Sequence, residues 1–99
     1  SAKAVADYYA ADLKAQEILA DLREGKQVEN VDESMISGYW DDKEVKHSFY
    51  EYGVPISDTQ ELRIFVEVTS DGSYSIFLWQ AMPVGEWTPD DGLHVFTGE

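Results

Sequence analysis

The first quarter of the chain keeps a helical beat and the remainder keeps a strand beat. Ala4, Tyr8, Ala11, Ala15, Ile18 and Leu22 follow one another at steps of four and three, which lines them along one stripe of a helix. Leu19 widens that stripe, while Asp7, Lys14 and Asp21 fall on the opposite side. Gly25 comes just after Arg23 and Glu24, where a residue tolerant of positive φ ends a helix readily. The spacing therefore predicts a helix over residues 2–24. Alanines on the seam allow a close approach to the layer beneath, so the helix is expected to dock on the protein's own sheet. A partner helix in a coiled coil is the other reading of such spacing, but so short and alanine-rich a run supports it thinly.

After Gln27 the period falls to two. Leu62, Ile64, Val66 and Val68 alternate with Arg63, Phe65, Glu67 and Thr69. Tyr74, Ile76 and Leu78 alternate with Ser73, Ser75, Phe77 and Trp79, and Ser70-Asp71-Gly72 stands between the two runs. This is a β-hairpin pattern. A three-residue loop with Gly72 in a left-handed bulge sets Val68 opposite Tyr74 and Val66 opposite Ile76. That register gathers Leu62, Ile64, Val66, Val68, Tyr74, Ile76 and Leu78 on one face. The other face then carries Phe65, Phe77 and Trp79, either covered by a later segment or left open as an interaction patch.

An earlier hairpin is predicted from residues 36–40 and 45–50 around the turn Asp41-Asp42-Lys43-Glu44, with Trp40 opposite Val45 and Ile36 opposite Phe49. Pro83 closes the strand that carries Trp79, residues 88–92 form a turn, and 93–97 make a short last strand. Residues 28–35 and 53–61 carry the weakest pattern. The fold class that follows is α+β: one N-terminal helix packed on a four- to five-stranded antiparallel sheet built from hairpins. The whole of 1–99 reads as a single domain, with the sheet over about 35–97.

Composition confirms a folded chain and then adds a charge. Hydrophobic residues are 43% and aromatics 13%, too many for a disordered acidic tail. Cysteine is absent, so there is no disulfide and no thiolate chemistry. No apolar run approaches the roughly 18 residues of a membrane span, and no signal-peptide core is visible, which makes cytoplasmic the default location. The net charge is −13. Residues 1–27 contribute −1, residues 28–63 contribute −6, and residues 64–99 contribute −6 with no Lys or Arg among them. Such a field repels nucleic acid and anionic membrane and attracts basic protein surfaces.

Most acids nevertheless have an ordinary local role. Asp41, Asp42, Asp58, Asp71, Asp90 and Asp91 fall in predicted turns, where an Asp side chain caps neighbouring backbone N–H groups. The missing basic residues are what turn chemistry leaves unexplained, and solubility or salt adaptation competes with function as their reason. Carboxylates alternating along a strand could imitate backbone phosphates, yet only Glu61 and Glu67 share a predicted strand, with Arg63 between them. Asp71-Gly72 and Asp90-Asp91-Gly92 are fragments too short for a calcium loop. His47 and His94 lack the close spacing of a zinc site, and no Gly-x-Ser-x-Gly elbow accompanies them. The expectation is a non-enzyme with no catalytic residue, no metal and no cofactor. A hydrolase built on carboxylates and His47 or His94 is the least favoured reading.

Aromatic residues supply the candidate anchors. Trp40 and Phe49 are expected to fill the core, whereas Trp87, beside a Pro-Asp-Asp-Gly turn, has less reason to be buried. The leading expectation is an acidic binding protein that inhibits or neutralises a basic partner, in the manner of inhibitor, immunity, anti-defence or DNA-mimic proteins. A nucleic-acid-handling enzyme is the expected partner, with no direct binding of nucleic acid or membrane. Asp41, Asp42, Glu44, Glu86, Asp90 and Asp91 would steer association, and Tyr50, Phe77, Trp79 and Trp87 would anchor it. The alternative is an accessory module that self-associates as a homodimer through the Phe65, Phe77 and Trp79 face.

Overall fold

In the computed structural model, which describes residues 1–33 and 38–85, one helix lies across an antiparallel sheet. Helix α1 spans Ala2–Arg23, with the Ser1 hydroxyl accepting from the Ala4 N–H at its start and Gly25, at φ 81°, just beyond its end. Ala11, Ala15, Leu19 and Leu22 are buried, and Tyr8 and Ile18 pack against them. The predicted stripe is thus the docked face, except that Ala4 is exposed.

The strands are β1 (Asp32–Glu33), β2 (Tyr39–Trp40), β3 (Lys46–Pro55), β4 (Gln60–Thr69) and β5 (Tyr74–Pro83). Their order is β1-β3-β4-β5, and β2 shares with β1 the outer edge of β3. Helix α1 lies on β3 and β4. Leu62, Ile64 and Val66 of the central strand are fully buried beneath it, with Val68, Tyr52 and Val54 alongside. Small side chains at Ala11 and Ala15 bring the helix close enough for Tyr52 Oη to donate to the Ala15 carbonyl at 2.9 Å. Burial pushes that phenol well above its ordinary pKa.

Two registers differ from the pattern in the sequence. The β4–β5 hairpin turns as expected, with Val68 opposite Tyr74, Val66 opposite Ile76, and Gly72 at φ 93°. A bulge then follows: Phe65 faces Leu78 and Ile64 faces Trp79, leaving Phe77 as the extra residue. Leu78 therefore leaves the core face and Trp79 joins it. The indole of Trp79 packs partly buried against the core and donates to Asp12 Oδ1 of α1 at 2.7 Å, a contact that an uninterrupted strand would forbid.

The earlier hairpin is shifted by one. Trp40 pairs with Lys46 and not Val45, because Asp41 closes the loop itself. Its backbone N–H donates to the Val45 carbonyl, and its carboxylate accepts from the N–H groups of Lys43 and Val45. Glu44 takes up the left-handed turn position at φ 63°. The expected pairing of Ile36 with Phe49 and the predicted elements at 88–97 lie outside the described residues.

Candidate interaction surface

The helix covers one side of the sheet; the other side carries the candidate site. Alternation along β3, β4 and β5 sends Phe49, Phe65 and Phe77 to that helix-free side, where their rings meet across three strands. Ring centroids are 6.4 Å apart for Phe49 and Phe65, 6.1 Å for Phe49 and Phe77, and 5.5 Å for Phe65 and Phe77. Phe77 takes the outward position that alternation expects and remains 55% exposed, while the bulge after it brings Leu78 to the same side.

Ionic clusters flank the aromatic band along the strands. On one flank, His47 Nε2 lies 3.0 Å from Asp41 Oδ2, its Nδ1 meets Glu67, and Tyr39 stacks on the ring at 4.4 Å with planes 4° apart. Ionised carboxylates only accept, so a partner on each ring nitrogen favours the protonated imidazole, which can donate from both. The hydrogen bond to Asp41, and then that to Glu67, raises the His47 pKa. Reciprocally, the His47 hydrogen bond and the Val45 N–H lower that of Asp41. On the other flank, the Arg63 guanidinium sits between Glu51 at 3.6 Å and Glu61 at 3.7 Å. With both ring nitrogens engaged by carboxylates, His47 ties β2, β3 and β4 together most firmly when the imidazole is protonated.

The expected anchors are divided between the two sides. Phe77 is on the helix-free side, with Asp41 beneath the neighbouring cluster, and Asp42 and Glu44 are exposed at the adjoining turn. Tyr50 and Trp79 lie on the helix side, both packed against the core. Glu86, Trp87, Asp90, Asp91 and His94 lie outside the described residues. Trp40, expected in the core, is 65% exposed on the short strand β2, and Phe49 belongs to the outer aromatic band. A row on the solvent side of α1, formed by the exposed Val5, Tyr9 and Leu13, went unremarked in the sequence. Its i, i+4, i+8 spacing was the available signal, masked by a helix that is apolar on both sides.

Clefts in the described residues lie on the helix side. One of about 540 Å³ runs between Leu22, Val28, Val31 and Tyr50, and another of about 420 Å³ lies between Leu19, Tyr74, Ile76 and Trp79. Among the described residues no group of His, Asp or Glu is arranged to hold a metal, and no helix is long and apolar enough to cross a membrane. No family model, curated protein or solved structure matches the chain.

Proposed function

We propose that this protein is a binding module whose helix-free sheet face docks on a basic protein surface. The observation that carries the reading is the Phe49–Phe65–Phe77 band lying open, through Phe77, on a molecule of charge −13. Aromatic rings supply rigid contact area at small entropic cost, and surrounding carboxylates select a partner of opposite sign. The exposed acids Asp42 and Glu44 at the turn beside His47 extend that field toward an approaching surface. A nucleic-acid-handling enzyme fits as partner because its substrate groove must be basic. Occupation of such a groove would block it, which is the inhibitory role.

The test is capture from lysate on immobilised protein, followed by purification of what salt releases and titration of that one partner. Phe77→Ser should weaken the purified pair by about tenfold or more, with the fold retained by circular dichroism although its contacts with Phe49 and Phe65 are lost. Affinity should also fall steeply with added NaCl. A partner bound equally well by Phe77→Ser, or indifferent to salt, would remove the reading.

A further inference from the structure

The two edges of the sheet are chemically unlike. The edge at β1 presents Asp32 and Glu33, both exposed, with Glu29 just before them. At the opposite edge, β5 belongs to a stretch, residues 72–85, that contains no Asp, Glu, Lys, Arg or His. So long a neutral run is conspicuous in a chain of net charge −13. Among the described residues β5 pairs with β4 alone, and none of them meets its outward N–H and C=O groups in a second ladder. Edge strands are normally blunted by charge, shortness or proline. Strand β5 is ten residues long, its proline is the last of them, and the bulge at Phe77 is its one irregularity. On the helix side the edge opens into the cleft of about 420 Å³ between α1 and β5, where Ile76 is 49% exposed and Tyr74 lies under the Arg23 guanidinium at 4.6 Å.

We propose that β5 is the edge along which two copies of this chain join, antiparallel and strand to strand. Charge selects this occupant. A basic partner gains nothing from a neutral edge, and it is drawn to the acids elsewhere. Two copies of a −13 molecule repel wherever their acids face each other; residues 72–85 carry none, and the adjoining cleft adds one charge of each sign, Asp12 and Arg23. A two-fold axis across the edge matches the same patch with itself. It sets both helices on one side of a continuous sheet, so the two clefts run together and the exposed faces of Tyr74 and Ile76 are covered.

Sedimentation equilibrium over a range of concentrations should find a species of twice the chain mass that grows with concentration. Added salt should strengthen it, because screening relieves repulsion between like-charged copies; this is opposite in sign to binding of a basic partner. The dimer should protect β5 amides from hydrogen exchange. Ile76→Glu, at an exposed position, should raise the dimer dissociation constant by about tenfold or more, while Leu13→Glu on the solvent side of α1 should leave it unchanged. If Ile76→Glu fails to fold by circular dichroism, Ser75→Glu makes the same test. A single-chain mass at every concentration overturns the proposal, whether the β5 amides exchange freely or are protected within one chain. So does a dimer indifferent to both edge substitutions.

Discussion

At His47 two carboxylates share one imidazole, and the sign of each perturbation fixes how the clamp responds to pH. Its pKa is raised in the folded protein, so its stabilising contribution is complete below the 6.5 of a free imidazole and lost as pH rises through the raised value. That of Asp41 is lowered, so its contribution is present above the ordinary 3.8 and lost as pH falls through the lowered value. Between those two ordinary values both act together. Thermal melts across pH should therefore show wild type exceeding His47→Gln by the largest margin there. The margin should shrink as pH is raised through the imidazole range. A margin that stays constant would mean that the histidine acts through packing on Tyr39 alone.

Among the elements, the contact between helix and sheet depends on smallness. Ala15 is completely buried and its carbonyl receives the Tyr52 hydroxyl, so no room remains for a larger side chain. Ala15→Leu should cost roughly 1–3 kcal/mol by overpacking, measured by denaturant unfolding. Strand β2 has a similar restriction at Gly38, where an added Cβ would stand 2.5 Å from the His47 carbonyl oxygen. Gly38→Ala should push β2 away from β3 and remove the pH dependence that His47 confers. These elements differ in how well the sequence announces them. The helix stripe and the turn at Gly72 were legible because each follows a strict local rule, a four-three spacing and a residue free to adopt positive φ. The bulge at Phe77 was not, since nothing local distinguishes it from continued alternation. It is decided by Asp12 sixty-odd residues away, which draws Trp79 to the helix side through a bond across 67 positions. The one-residue shift at Asp41 escaped for a different reason. Its side chain replaces backbone partners in closing the loop, a competition that hydrophobic pairing does not register. The candidate surface changed with the bulge: Phe77 stands on the outer face as alternation expects, Trp79 leaves it and Leu78 takes its place.

For the whole molecule, charge opposes compaction. A net −13 on 99 residues repels itself, and the ion pairs of Arg63 and His47 offset it locally on one face. Moderate NaCl should therefore raise the unfolding midpoint, and more so at neutral pH than near pH 4, where protonation of carboxylates reduces the charge. A midpoint that falls with salt would show that the local ion pairs outweigh the general repulsion. The same field sets the balance between the two proposed associations, one weakened and the other strengthened as ions are added.

The order of elements along the chain has a kinetic consequence. Strands β3, β4 and β5 form a meander of successive hairpins, each closed by a short turn, so their pairing joins near neighbours. Such hairpins close within roughly 1–10 μs, and an isolated helix forms faster still, within about 0.1–1 μs. The helix, by contrast, reaches its place through contacts spanning 37 and 67 positions. Loop closure thus falls on one event, the landing of α1 on a sheet already assembled. Until that event Leu62, Ile64 and Val66 face water together. The interval before docking is when this chain is most exposed to aggregation, because its apolar strand face is then bare.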